Sequence, residues 1–187
     1  MLGLAQGYFS AFADANNPDF VPLVNSILNS SSTNPDFIYY QASIIGNAEY
    51  KISGYRGSAL FVHIDIAAGG FGVMDEPGPS TDSFMLDELA IDSNGYFELL
   101  LSAGQRKNYR GNWRKLNPAA RVILVRQAAY NWGAANEARL AIERVDIPVT
   151  PPYFSAVETA QRLQRLVMQP QRITTMWLQF MAGQRQK

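Results

Sequence analysis

The feature that most constrains the fold is an alternation of apolar and polar side chains between residues 37 and 145. A period of two is that of a β-strand, whose successive side chains point to opposite faces. The alternation is clearest over residues 58–66 and recurs over residues 50–53, and the apolar-rich segments over residues 86–91, 96–101, 121–130 and 139–145 are also predicted to be strands. Because the connections have hairpin length and no helical pattern separates these segments, we expect an antiparallel, β-sandwich-like core.

Both ends of the chain show the helical spacing of three and four residues instead. We expect one helix over residues 1–15, a short one over residues 20–28, and two more before and after Pro170. Ser155 and Glu158 form a capping box that would begin the first C-terminal helix. Two apolar stripes are expected to pack on the sheet. The stripe before Pro170 consists of Ala156, Ala160, Leu163 and Val167, and the stripe after it consists of Ile173, Met176, Trp177, Phe180 and Met181.

These patterns predict a single α+β domain over residues 1–187, with N- and C-terminal helices packed on the β core. The N-terminal helices belong to residues 1–33, the core to residues 34–148 and the C-terminal helices to residues 149–187. The apolar terminal helices also predict a homo-oligomer formed through them.

Composition excludes several kinds of site. The chain has no cysteine and a single histidine, so disulfides, thiolate chemistry and a multi-histidine metal centre within one chain are excluded, and we expect no metal and no cofactor. No apolar run approaches the ~20 residues of a membrane span. Since no secretory signal is visible either, we expect a cytoplasmic protein.

The net charge of zero hides an uneven distribution. Residues 1–100 carry 2 basic and 12 acidic groups, whereas residues 101–187 carry 14 basic and 4 acidic ones. We expect the two halves to neutralise each other across neighbouring strands, so nucleic acid is not an expected partner.

Several strings occur in a fixed order along the chain. Residues 111–146 contain Gly-Asn-Trp-Arg-Lys-Leu, Val-Ile-Leu-Val-Arg-Gln, Tyr-Asn-Trp and Ala-Arg-Leu-Ala-Ile-Glu-Arg. Upstream lie Asn-Pro-Asp at residues 34–36, Tyr-Lys-Ile-Ser-Gly-Tyr-Arg-Gly at 50–57 and Gly-Tyr-Phe-Glu-Leu at 95–99. Together they resemble the bacterial family known as domain of unknown function twelve-fourteen. The resemblance implies a β-sandwich-like domain and supplies no catalytic residues.

The candidate catalytic residues are His63 and Asp65, which share one face of the predicted strand over residues 58–66. A histidine beside a carboxylate can serve as an oriented general base. No nucleophile motif accompanies the pair, so the favoured interpretation of His63 is an ordinary, partly exposed sheet residue.

The candidate ligand-binding residues are Arg56, Asn112, Trp113, Arg126 and Tyr130. Residues 106–115 interleave positive and aromatic side chains in a predicted loop, which suits an anionic ligand, although Trp113 could equally anchor the loop in the core. Arg126 shares its strand face with apolar side chains, so we expect either a buried ion pair or a charge lining a pocket between the sheets.

Two functions follow from these residues. The favoured hypothesis is a non-catalytic domain that binds a small ligand or a partner. The alternative is an enzyme acting on a small organic, possibly anionic, substrate, with His63 and Asp65 as acid and base.

Overall fold

The computed structural model describes residues 11–24, 34–70, 78–151 and 153–185. The strands are β1 Val21–Val24, β2 Phe37–Ser43, β3 Tyr50–Tyr55, β4 Phe61–Ala67, β5 Ser80–Met85, β6 Tyr96–Ser102, β7 Asn112–Lys115, β8 Val122–Ala128 and β9 Arg139–Arg144. The C-terminal helix, here called α1, spans Ala156–Arg185. The α+β class is therefore confirmed.

The strands form two sheets. The five-stranded sheet has the order β1-β2-β8-β4-β5, and the four-stranded sheet has the order β7-β6-β3-β9. All neighbouring strands are antiparallel except β6 and β7, which run parallel. One buried apolar cluster draws side chains from both sheets, so the two sheets share a single core.

The alternation predicted for β4 is confirmed. Val62, Ile64 and Ile66 are fully buried in the core, while His63 and Asp65 point to the opposite, partly exposed face. Leu60 was expected to point into the core with these residues, but it precedes the strand and is 53% exposed.

Strand β8 carries apolar residues on both faces. Its core face presents Ile123, Val125 and Gln127, all with no exposed surface, whereas Arg126 points outward and is exposed. The buried ion pair and the pocket between the sheets predicted for Arg126 are therefore both wrong. The polar residue that enters the core is Gln127, whose amide donates to the carbonyl oxygen of Ala138 and accepts from its N–H.

Near the N-terminus the structure differs from the prediction. Residues 1–10 and 25–33 lie outside the described chain; Ala11 and Phe12 have helical backbone. The helix predicted over residues 20–28 is wrong where Val21–Val24 pairs with β2 as a strand. A short apolar run fits either structure, and the available edge of the sheet decides between them.

Two predictions in the middle of the chain are also wrong. Residues 86–91 were expected to be a strand, but Leu86–Glu88 forms a 3₁₀ turn with Leu86 buried. The loop expected over residues 103–118 contains β7, which joins the sheet beside β6. The Ser-Asn-Gly sequence at residues 93–95 is typical of a turn, and a turn is present there, with Gly95 at φ +82°, but it leads into β6 from an irregular segment.

The two predicted C-terminal helices are one continuous helix with Pro170 inside it. The stripe predicted before Pro170 is exposed along its length, including Leu163 and Val167, so its packing prediction is wrong, whereas Ile173 and Met176 of the stripe predicted after Pro170 are buried. Among the side chains of α1 that the structure describes, the buried ones follow a spacing of seven, four and three residues. They are Arg162, Gln169, Ile173 and Met176.

Ion pairs within the protein partly neutralise the uneven charge distribution, but the following pairs do not link neighbouring strands of one sheet, which was the expectation. Arg114 lies 2.8 Å from Asp82 and 3.4 Å from Glu88, and Arg106 pairs with Glu49. Both arginines come from the basic half of the chain and all three carboxylates from the acidic half. The positive segment over residues 106–115 is thus not wholly available to an external anion.

Candidate functional site

The outer face of the five-stranded sheet carries both predicted catalytic residues. We use this name for the side chains that point away from the shared core. The strand register places Tyr39, Arg126, His63 and Met85 in one row across β2, β8, β4 and β5. Arg126 and His63 are direct cross-strand neighbours, which puts their Cα atoms about 5 Å apart.

His63 and Asp65 each bond a different serine of β5. The Nε2 atom of His63 lies 2.7 Å from Oγ of Ser83, and the hydroxyl of Ser80 donates to the carboxylate of Asp65. The two predicted catalytic residues thus share a face as expected. Their polar contacts separate them into two serine pairs.

Ser83 was not among the predicted site residues, because the glycine- and proline-rich residues 68–82 before it are typical of a loop and give no strand register. In the structure residues 71–77 lie outside the described chain, and β5 begins at Ser80. The antiparallel register then sets Ser83 opposite Asp65 and Met85 opposite His63. Only the register of this hairpin could have revealed the contact.

An aromatic cluster borders the row that contains Arg126. The ring centroid of Phe37 lies 5.7 Å from that of Phe61 and 5.9 Å from that of Tyr39. Arg126 is exposed, and no ion pair is found for it within the described residues. The outer face therefore combines a cation, an imidazole and an apolar surface.

Arg56, a predicted ligand-binding residue, holds the 3₁₀ turn Leu86–Glu88 in place through an ion pair. Gly57 follows it with φ +62°, a backbone conformation that favours glycine. The guanidinium of Arg56 donates to both carboxylate oxygens of Asp87, at 2.6 and 2.8 Å, and to the carbonyl of Ala59 at 2.9 Å. This pairing lowers the pKa of Asp87.

Asn112 and Trp113 are also used within the protein. The amide of Asn112 bonds both backbone groups of Ala90, at 2.7 and 2.9 Å, and donates to the carbonyl of Glu98 at 2.9 Å. The indole N–H of Trp113 donates to the hydroxyl of Ser102 at 2.9 Å. These contacts attach β7 to β6 and to the segment that follows the 3₁₀ turn.

Tyr130 lies beyond the end of β8 and is 90% exposed. It borders an open depression of about 280 Å³ together with Leu60 and Asn131. The five predicted ligand-binding residues therefore do not converge: three stabilise the four-stranded sheet and its connections, and Arg126 and Tyr130 occupy separate positions.

A larger cavity, of about 370 Å³, opens where β1 and β2 meet the N-terminal segment. We call it the β1–β2 cavity. Its walls are Phe12, Ala13, Asp14, Asn17, Pro18, Asp19, Val21, Gln41, Ser43 and Phe154. Its walls come from three segments that only the fold brings together, so no local sequence pattern indicates it.

Arg162 of helix α1 holds one wall of the β1–β2 cavity in place. Its guanidinium donates to the carbonyl oxygens of Ala11 and Ala13, at 3.0 and 2.9 Å, and lies 4.0 Å from the ring centroid of Phe154. The Phe154 ring in turn meets Phe12 edge to face at 6.4 Å. Helix α1 thereby positions both aromatic walls.

The polar part of the cavity wall is acidic. Asp14 accepts hydrogen bonds from the backbone N–H of Asn16 at 2.9 Å and from the amide of Asn17 at 2.8 Å, which fixes the turn. Asp19 is exposed at the rim. The wall contains two carboxylates and neither lysine nor arginine among its described residues.

Within the described chain, no group of three or more histidine and carboxylate side chains is arranged to hold a metal ion. In the same residues, no helix has both the length and the apolar character of a membrane span.

Comparison with known proteins supports the fold. No protein-family model matches the chain, and no curated protein matches it significantly, so the resemblance to the domain-of-unknown-function family stays a prediction. The structure is similar to that of an uncharacterised protein from Burkholderia cenocepacia, with a TM-score of 0.81 and 25% identity over 95% of this chain. The chain spans about half of that protein, 50% of its length. The VPA0106 protein from Vibrio parahaemolyticus matches at a TM-score of 0.41 and 12% identity, over 88% of this chain and 42% of its own.

Proposed function

We propose that this chain is a small-ligand-binding domain and that its ligand occupies the β1–β2 cavity. The observation that carries the proposal is the cavity itself, whose volume of about 370 Å³ falls in the range of small-molecule sites. We infer a sandwich-like arrangement because the two sheets share one core. In this arrangement the cavity lies at the edge of the outer face of the five-stranded sheet. Apolar walls with a few polar groups are typical of such sites.

The chemistry of the wall favours an organic cation. Aromatic rings attract ammonium groups, and Phe12 and Phe154 line the cavity, with the Arg162 guanidinium already placed 4.0 Å from the Phe154 centroid. The carboxylates of Asp14 and Asp19 add negative charge, and the amide of Gln41 and the hydroxyl of Ser43 add hydrogen-bonding groups. A small amine or quaternary ammonium compound with an apolar part matches this lining.

The test is a titration of the full chain with benzyltrimethylammonium, followed by backbone amide NMR, with benzoate as the anionic comparison. We expect shifts at residues 41–43 with the cation and not with benzoate. Asp19→Asn should weaken binding about fivefold, since one unit charge at 4 Å in water contributes about 1 kcal/mol. Equal responses to both compounds would contradict the cationic assignment.

A filling substitution locates the site. Ser43→Phe places a ring in the cavity and should abolish the shifts without unfolding the chain. The matched control is Ser53→Phe, which adds the same ring to β3 in the other sheet, and it should leave binding unchanged. Binding that survives Ser43→Phe would place the ligand elsewhere.

The exposed stripe of helix α1 supports the earlier expectation of a homo-oligomer. Leu163 and Val167 project from this stripe, and a second copy could cover them. We expect light scattering to give a dimeric mass that falls to the monomeric value with Val167→Glu. A monomeric wild type would contradict this expectation.

A second candidate function is an enzyme acting on a small organic substrate, and the contact between His63 and Ser83 favours it. The carboxylate of Asp65 is held by Ser80, so the proposed acid/base partnership of His63 and Asp65 rests only on their shared face. Because the hydrogen-bond partner of His63 is the Ser83 hydroxyl, this candidate requires a serine nucleophile with His63 as its base, in place of acid/base catalysis by His63 and Asp65.

A further inference from the structure

We infer that Ser83 and His63 form a nucleophile–base pair that takes acyl groups from small, activated carboxylic esters. This inference specifies the reaction class of the second candidate function. It uses residues outside the β1–β2 cavity, so the two proposals stand or fall separately.

The geometry of the pair lets the His63 ring accept the Ser83 proton in the tautomer whose Nε2 carries no hydrogen. The Oγ atom of Ser83 lies 2.7 Å from Nε2 of His63, within the hydrogen-bond reach that a general base requires. Ser83 is exposed and His63 partly exposed, so a substrate can reach both from solvent. The adjacent strands β4 and β5 hold the two residues in register.

Neighbouring contacts fix the position of Ser83. Its backbone N–H donates to the carboxylate of Asp82 at 2.9 Å, and that carboxylate is held by the guanidinium of Arg114 at 2.8 Å. The β5 backbone around Ser83 is therefore anchored to β7. A positioned serine loses less freedom on reaching a substrate than a serine in a free loop.

Arg126 supplies a positive charge beside the pair. It faces His63 directly across β4 and β8 and makes no ion pair among the described residues. A guanidinium at this position can stabilise an oxyanion or bind a carboxylate on the acyl group. The preferred acyl donors are therefore esters whose acyl part carries a negative charge.

The proposed step balances as follows. The Oγ atom of Ser83 attacks the ester carbonyl carbon while Nε2 of His63 accepts the hydroxyl proton. The bond between that carbon and the leaving oxygen then breaks, and His63 returns the proton to the leaving alkoxide. Water, activated by the same imidazole, hydrolyses the seryl ester and restores Ser83.

The experiment treats the full chain with p-nitrophenyl acetate, follows p-nitrophenolate release and locates the acetyl group by peptide mapping. We expect acetylation of Ser83 at least tenfold faster than of Ser93, an exposed serine in a turn. His63→Gln should reduce the Ser83 rate to that of Ser93, and Ser83→Ala should abolish it. The control Ser93→Ala should keep the wild-type rate.

Charge selectivity tests the role of Arg126. p-Nitrophenyl succinate should react faster than the acetate with wild type, and Arg126→Gln should reduce that preference about fivefold. Unchanged melting temperatures would show that the variants remain folded.

Three results would overturn the inference: labelling of Ser83 no faster than of Ser93, a wild-type rate in His63→Gln, or continued p-nitrophenolate release by Ser83→Ala. The last would assign the nucleophile to the imidazole itself. None of these results would affect ligand binding in the β1–β2 cavity.

Discussion

Gln127→Leu offers the sharpest test of how the two sheets are joined. The Gln127 side chain is fully buried, accepts from the Ala138 N–H at 2.7 Å and donates to the Ala138 carbonyl at 3.2 Å. Leucine has a similar volume, but it leaves both backbone groups buried and unpaired. Each such group costs about 1–3 kcal/mol, and the added apolar burial offsets only part of this cost. We expect a net loss of about 3 kcal/mol.

The assay is urea unfolding monitored by tryptophan fluorescence, together with thermal melting. For a chain of this size, 3 kcal/mol corresponds to a fall of roughly 6–12 °C in the melting temperature. The matched control is Gln105→Leu, because the Gln105 amide bonds the Tyr109 carbonyl at 3.2 Å in an exposed position, and we expect it to cost less than 0.5 kcal/mol. A Gln127→Leu protein as stable as the control would refute the reasoning.

Three further predictions concern residues that the structure assigns to stability. Arg56→Gln should lower the free energy of unfolding at pH 7. Because Arg56 lowers the pKa of Asp87, this loss should persist above the ordinary pKa of 3.8 and shrink as the pH falls further, which unfolding of both proteins over a pH series checks. Burial and the bond to Glu137 raise the pKa of Tyr40 to about 12, so the stability due to neutral Tyr40 should be present below pH 10 and lost as the pH rises towards 12. The pKa values of Tyr50 and Tyr96 are raised too, so ultraviolet titration should show several late-ionising tyrosines, with one fewer in Tyr40→Phe. Asn112→Ala removes three hydrogen bonds and should lower the free energy of unfolding in urea by about 2–3 kcal/mol. Benzyltrimethylammonium binding should stay unchanged, and weaker binding would support the predicted ligand-binding role of Asn112.

The strands that sequence predicted well are those with one apolar face. In β4 the alternation identifies the core side chains because the opposite face carries His63 and Asp65. β3 and β9 were predicted for the same reason, but their antiparallel pairing joins strands far apart in the chain, which no short connection predicts. In these segments local pattern and tertiary packing favour the same structure.

Prediction failed where packing overrides local pattern. β7 has no apolar alternation; it forms because Asn112 and Trp113 bond to neighbouring segments. Pro170 lacks the N–H of a helix interior and usually ends a helix, yet α1 continues through it, with buried Gln169 and Ile173 on either side. Such contacts depend on distant parts of the chain, so a local pattern cannot report them.

The position of Arg126 on the outer face was not predicted, and the reason lies in the composition of β8. Apolar residues on both sides of the strand leave its orientation undetermined, and the polar pair Arg126 and Gln127 decides it. A buried amide can be satisfied by one residue's backbone, as Ala138 satisfies Gln127. A buried guanidinium needs a carboxylate, and desolvation removes much of the gain from that pair. Arg126 therefore points outward, and this choice places its charge beside His63 on the face where ligands can arrive.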